Sequence, residues 1–170
     1  MLSKLTQSSL ALCLLFVTFL SKAQIKPTPS NERLKGLQQR KVLERNSLIN
    51  HVKFRNIGPS VMSGRVDDIE ANPEDPTEFY VAYATGGLWH TTNNGLSFTS
   101  IFDSADVIGI GDIAVNWKTR TIWVGTGEVN SSRSSYAGIG VYKSKDSGKT
   151  WEYLGLPESH HIGKVQLHRT

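Results

Sequence analysis

The polar side chains best suited to holding a ligand gather in one stretch, Glu128 to Ala137. There Glu128 brings a carboxylate, Asn130 an amide, Arg133 a guanidinium and Tyr136 a phenol. Such a set can donate to and accept from the polar groups of a bound molecule, and recognition concentrates on polar loops carried by a rigid scaffold. Other groupings carry less chemistry. Ser147-Gly148-Lys149-Thr150 lacks the first glycine of a phosphate loop, because Lys143 stands in its place. Gly138-Ile139-Gly140 lacks the third glycine and the strand-to-helix setting of a dinucleotide site. His160 and His161 are adjacent, so on a strand they point to opposite faces. With His168 they read as surface or loop residues; no metal site is expected and no cofactor is implied. Asn130-Ser131-Ser132 is a glycosylation sequon, relevant only in a secretory-pathway host.

The elements that position the Glu128–Ala137 stretch come from a repeat. Gly64–Asn72, Ile110–Asn116 and His161–His168 align with one another, as do Glu78–Gly86 and Thr121–Gly127. Gly87–Phe98 aligns with Gly140–Trp151. A period near 50 residues, made of short apolar runs broken by Gly and Asn, signals a propeller-type array. Each unit reads as four strands: about 66–71, 79–84, 87–91 and 96–101 in the first, and about 111–116, 121–125, 140–144 and 150–154 in the second. Alternation in Phe79/Val81/Tyr83 and in Ile122/Val124 suits half-buried strands. Ser144-Lys145-Asp146-Ser147-Gly148-Lys149-Thr150-Trp151 is an Asp-box, S-x-D-x-G-x-T-W, and Thr91–Phe98 is a degenerate copy with Asn93 in place of Asp. These residues are assigned structural duty: Gly148 and Gly95 for positive φ in a hairpin, Ser144, Asp146 and Thr150 for bonds across the turn, Trp151 and Phe98 as aromatic plugs.

Antiparallel strands place the Asp-box hairpins on one rim and the strand-two-to-three and unit-to-unit links on the other. In the first unit that link is the tight Thr85-Gly86-Gly87, and in the second it is the longer segment with Glu128, Asn130, Arg133 and Tyr136. Met62–Arg65, Asp103–Gly109 and Pro157–Ile162 share the ligand-facing rim, which adds Arg65 to the candidate binding residues.

The Asp-boxes, with Gly64-Arg65-Val66, Gly86-Gly87-Leu88-Trp89, Ile110–Val115, Gly125-Thr126-Gly127-Glu128 and Gly140–Ser144, resemble the Asp-box propellers related to the sortilin N-terminal domain. Bacterial members of that group carry the label of BNR-repeat glycosyl hydrolases. The resemblance spans about residues 54–168. It implies an exported binding propeller for peptide or carbohydrate ligands, or alternatively an extracellular glycoside hydrolase, xyloglucanase-like or sialidase-like. By similarity to the xyloglucanase type, Val66-Asp67-Asp68-Ile69 makes Asp67 the candidate catalytic acid or base, although Asp68 stands where that phrase has glycine. Glycosidases need two carboxylates about 5–9.5 Å apart, and the second would lie beyond this chain. Phe54-Arg55-Asn56-Ile57-Gly58-Pro59 resembles the sialidase phrase before the first unit, with two residues inserted and no arginine triad to complete it.

Length and charge acquire meaning once the chain is divided. A hydrophobic content of 38%, with 20% charged residues and 15 Gly, excludes collagen-like, coiled-coil and wholly disordered chains. Residues 1–23 read as a cleavable export signal: Lys4, an apolar run Leu10–Leu20, then Ser21-Lys22-Ala23. That run is shorter than the roughly 20 residues of a spanning helix, so no stable membrane span is expected, and localisation is periplasmic, cell-surface or extracellular. Cys13, the single cysteine, lies in that run and follows Leu12 rather than a small residue, which argues against a lipoprotein. Residues 24–50 form a basic arm or short helix from Ser30 or Asn31 to about Leu48. The arm holds six basic and two acidic residues, whereas 51–170 hold eleven and thirteen. The overall +4 therefore belongs to leader and arm, and no nucleic-acid partner is implied. The expected organisation is blade one at about 51–102, blade two at about 103–155 and the start of blade three at about 156–170. The fold class is all-β: a partial β-propeller of four-stranded antiparallel blades with Asp-box hairpins. A ring closes with about 4–8 blades, so the array is expected to be truncated. Nothing in the sequence sets an oligomeric state.

Overall fold

The computed structural model describes residues 26–53, 64–130 and 135–168. The expected leader at 1–23, the Phe54–Pro59 phrase, Met62, Ser63, the sequon serines Ser131 and Ser132, and Arg133 lie outside the described residues.

Among the described residues the fold is all-β apart from one helix. Strands β1 (Val66–Ala71), β2 (Phe79–Tyr83), β3 (Gly87–Thr91) and β4 (Thr99–Ser100) form one antiparallel sheet in chain order. Strands β5 (Ile110–Asn116), β6 (Thr121–Thr126), β7 (Val141–Ser144) and β8 (Glu152–Gly155) repeat the arrangement. The innermost strands β1 and β5 lie against each other, as adjacent propeller blades require. Tyr80, Leu88, Phe102, Ile110, Ile113, Ile122, Val124, Ile139 and Tyr142 form one core. Each fully buried large apolar side chain contributes about 1.5–3 kcal/mol. Alternation misjudged β2: Tyr80 and Ala82 are 0% exposed and Val81 is 5%, so this central strand is covered on both faces rather than half-buried.

The fourth strands start later than the expected 96 and 150 because the preceding hairpins consume their first residues. Ser144 Oγ donates to Asp146 Oδ1 at 2.7 Å and accepts the Gly148 N–H at 2.8 Å. Asp146 then accepts the Thr150 N–H at 2.9 Å and its hydroxyl at 2.6 Å. Thr91, Asn93, Gly95 and Ser97 reproduce the pattern, with the Asn93 side-chain oxygen accepting the Ser97 N–H at 3.0 Å. Both hairpins place two successive residues at positive φ, Asn94 and Gly95 in one and Ser147 and Gly148 in the other, which is the primed-turn geometry matching strand twist. Residues 97 and 150 thus bond to the box and not to a ladder. Trp151 crosses to the first sheet, donating to the Ile101 carbonyl at 2.7 Å and meeting Phe102 edge-on at 4.8 Å. Phe98 meets Phe79 edge-on at 5.9 Å.

This geometry has a titration signature. Bonds from the Thr150 hydroxyl, the Thr150 N–H and Ser144 hold the Asp146 pKa down to about 2. The folded value lies below the unfolded one, so the stabilisation is present above the ordinary Asp range and is lost as pH falls through about 2. A carboxyl-carbon NMR titration should therefore find the Asp146 midpoint near 2 in the wild type. In Thr150→Val it should rise toward the ordinary value of about 3.9. An unperturbed wild-type midpoint would contradict the turn geometry.

Helix α1 (Ser30–Arg45) ends short of Leu48. The Asn50 side chain donates to the Arg45 carbonyl at 3.0 Å, and Ser47 Oγ accepts the Ile49 N–H at 3.3 Å. Such local bonds compete with helix propagation. Pro29, rather than Ser30 or Asn31, occupies the N-cap, because the Ser30 hydroxyl is bonded to Glu158. The helix is tied to the loops that flank the second sheet. Arg33 donates to the carbonyls of Gly138 and Pro157, while Arg40 and Lys41 pair with Asp106 at 3.3 and 3.0 Å. Much of the arm's charge is thus engaged by the body. Among the described residues no helix is long and apolar enough to cross a membrane.

Candidate functional site

A β-bulge fixes the central residue of the site. Val66 pairs with Tyr83 and Asp68 with Ala82, leaving Asp67 as the extra residue on β1. Bulges re-aim a side chain out of the ladder. The second sheet carries the same bulge at Gly111, between Ile110 paired with Thr126 and Asp112 paired with Gly125. At Gly111 a Cβ would strike the carbonyl oxygens of Gly127 and Ile162. The repeat therefore admits no side chain at that point, while the first blade places a carboxylate there.

The segment leaving β6 lies beside β1. Arg65 and Glu128 form an ion pair, and Asn130 Nδ2 donates to Asp67 Oδ1 at 3.0 Å. The partners lie two positions apart on each segment, so the two contacts stand side by side. The Glu128 N–H donates to the Tyr136 carbonyl at 3.2 Å, tying the ends of the link together. Tyr136 itself is exposed.

Glu128 requires a correction. The sequence reading set it among side chains facing a ligand, but the residue is 0% exposed and engaged by Arg65. Gly127, at φ 85°, turns the chain as it leaves β6, and the carboxylate that follows goes inward as the seat for Arg65. The Arg65 side chain remains about half exposed, so Glu128 orients a guanidinium that is still open to solvent. Asp67 Oδ2 and Glu128 Oε2 are buried and have no hydrogen-bond partner among the described residues.

The structure thus brings Arg65, Asp67, Glu128 and Asn130 together and places Tyr136 on the same link. The Asp-box residues Ser144, Asp146, Gly148, Thr150 and Trp151, with Asn93, Gly95 and Phe98, lie in the hairpins, apart from this group. His160 Nε2 sits 3.5 Å from Arg33, and its ring centre is 6.3 Å from that of His161. Among the described residues no three metal-ligating side chains come together.

Two carboxylates escaped the sequence reading. Asp68 on β1 and Asp112 on β5 both reach backbone N–H groups of the next repeat, at Ile113 and Val165. Burial raises the Asp112 pKa, opposed by the Val165 N–H and by Lys164. Burial, with Asp68 nearby, also raises that of Glu70. The signal available in the sequence was the repeated Asp-Ile dipeptide, 68–69 and 112–113.

Fold and site together define two adjacent blades of a β-propeller, with a polar cluster where the innermost strand of the first meets the strand-two-to-three link of the second. No protein-family model and no curated protein matches the chain. Among solved structures the chain is similar to an ancestral GH74 enzyme, at 22% identity and a TM-score of 0.45 over 62% of this chain and 12% of that one. It is similar also to a GH74 enzyme of Niastella koreensis, at 21% identity and a TM-score of 0.42 over 55% and 14% of the two chains. The GH74 xyloglucanase from Xanthomonas campestris gives 16% identity and a TM-score of 0.38 over 49% and 14%. The chain covers only 12–14% of the length of these structures.

Proposed function

We propose that the chain is part of an exported β-propeller, with blades at about 51–102 and 103–155, a third beginning at about 156, and a rim that binds a glycan or peptide. The observation that carries this reading is the bulged Asp67, held through one oxygen by Asn130 beside an Arg65 seated on buried Glu128. A half-exposed guanidinium held in place by a buried carboxylate offers donors in a set direction, which suits vicinal hydroxyls or a peptide backbone. Exposed Tyr136 adds an aromatic face. Arg133, outside the described residues, belongs to the same link in the sequence.

A second reading is an extracellular glycoside hydrolase, of xyloglucanase or sialidase type, in which Asp67 is the acid or base and its carboxylate partner lies beyond this chain. Asp67 Oδ2, buried and without a hydrogen-bond partner among the described residues, favours it. Titration of the mature protein with xyloglucan, other oligosaccharides and a peptide panel separates the readings. Arg65→Ala and Tyr136→Ala should each weaken capture about tenfold, or about 1.4 kcal/mol. Capture unchanged in both variants would remove the rim assignment. Sugar release by the wild type that disappears in Asp67→Asn would move the assignment to the hydrolase.

A further inference from the structure

We propose that Asp68 and Asp112 are docking residues, Asp68 latching β1 to β5 and Asp112 latching β5 to the segment 160–165 that follows β8. They occupy the same position in the two sheets, directly after the bulged residue and directly before Ile69 and Ile113. Asp68 Oδ2 accepts the Ile113 N–H at 3.3 Å, from a residue 45 positions away. Asp112 Oδ2 accepts the Val165 N–H at 2.5 Å, from a residue 53 positions away, and its Oδ1 takes Lys164 Nζ at 3.1 Å. Asp68-Ile69, Asp112-Ile113 and Lys164-Val165 thus occupy one position of the repeat, with Asp-Ile in the first two and Lys-Val in the third. In each step the carboxylate of one copy takes the amide of the apolar residue in the next.

The surface that receives the third copy has no room for side chains of its own at Gly125 and Gly127. A Cβ on Gly125 would meet Ile162 Cγ2 at 2.5 Å and Val165 Cγ2 at 3.0 Å, and one on Gly127 would strike the His160 carbonyl. The His160 carbonyl accepts the Gly138 N–H at 2.7 Å, and the Ile162 N–H reaches the Thr126 carbonyl at 3.2 Å. Segment 160–165 belongs to no strand ladder, so these few bonds and the Asp112 latch seat it. Residue 112 is 4% exposed, so its bond to Val165 is little diluted by water, and a hydrogen bond to a charged group is among the stronger kinds. Lys164 ends the acidic run: where the first two copies carry an acceptor, the third carries the cation that closes on Asp112.

Amide hydrogen exchange on the intact chain tests the latch without reference to any ligand. In Asp112→Ala the Val165 amide should exchange at least about tenfold faster while β6 amides keep their protection. Asp68→Ala should do the same at Ile113. A Val165 amide that exchanges at the wild-type rate in a folded Asp112→Ala overturns the proposal. Should Asp112→Ala unfold the chain, so that β6 exchanges as fast as the tail, Asp112→Asn decides. It retains one acceptor oxygen but loses the charge. A rise of several-fold at Val165 supports the latch, and the wild-type rate overturns it.

Discussion

Gly140→Ala should abolish most of the stability of the second sheet, whereas Gly155→Ala, fifteen residues on, should not. Both glycines have positive φ, 118° and 97°, so both substitutions incur backbone strain of about 1–2 kcal/mol. The space around them differs. A Cβ on Gly140 would collide with the Gly155 carbonyl and lie 2.9 Å from the Leu156 oxygen, whereas one on Gly155 meets nothing within 4 Å. The obstacle at Gly140 is backbone, so β8 would have to move off β7. Gly140 also sits in a buried knot. Its carbonyl accepts the Thr126 hydroxyl at 2.6 Å and N–H at 3.1 Å, and its own N–H returns to the Thr126 oxygen at 3.1 Å. Thr126 is 0% exposed, so bonds broken there are not replaced by water. The combined cost should reach about 4 kcal/mol or more, much of the roughly 5–15 kcal/mol that holds a domain together. Urea denaturation measures both variants; equal midpoints would refute the steric argument.

What could be read in advance was whatever depends on one segment and its neighbours along the chain. The inner strands were legible because apolar residues recur at fixed places in both repeats, and the hairpins because Gly95 and Gly148 stand where two strands must reverse. What escaped depends on a partner strand. Asp67 is bulged only because Val66 and Asp68 face Tyr83 and Ala82, and no spacing along β1 records that. Glu128 looked like a solvated loop carboxylate because nothing near it in the chain says that Arg65 will cover it. The fourth strands looked to start earlier because Ser97 and Thr150 are as compatible with a strand as with a hairpin; only the bonds to Asn93 and Asp146 settle which they join. Asp68 and Asp112 were present as a repeated dipeptide, but their partners lie 45 and 53 residues away. Charge followed the same rule. The arm's basic excess located itself by counting, whereas the engagement of Arg33, Arg40 and Lys41 required the fold.

The second large effect is expected at Glu78, which joins the two sheets near the Asp-box hairpins. This residue, 7% exposed, accepts Arg120 Nη1 at 2.5 Å, Asn72 Nδ2 at 2.9 Å and His90 Nε2 at 3.0 Å. Glu78 and His90 belong to the first sheet's segments and Arg120 to the β5–β6 hairpin of the second. Arg120 stands 5.7 Å from the Trp117 ring centre, and Trp117, Tyr80 and His90 form a continuous aromatic row at 5.2 and 4.3 Å. The Arg120 carbonyl also accepts the Ser147 N–H at 3.3 Å, linking this cluster to the second hairpin. Glu78→Ala leaves buried Asn72 without its acceptor and opens the inter-sheet contact, at a cost of about 2–3 kcal/mol; Arg120 is half exposed and recovers part of its hydration. Glu78→Gln keeps the volume and one acceptor, so about 1–2 kcal/mol is expected. Acid distinguishes charge from shape. Burial alone would raise the Glu78 pKa, but the bonds from Arg120, Asn72 and His90 together outweigh it and hold the value below 4.5. With the folded value depressed, the charge-dependent stability is present above the unfolded value and disappears as pH falls through the folded one. The stability gap between wild type and Glu78→Gln should therefore be constant at neutral pH and close as pH drops below about 4. Thermal unfolding across that range measures it. A gap that persists undiminished in acid would mean that Glu78 serves the interface by its shape and not by its charge.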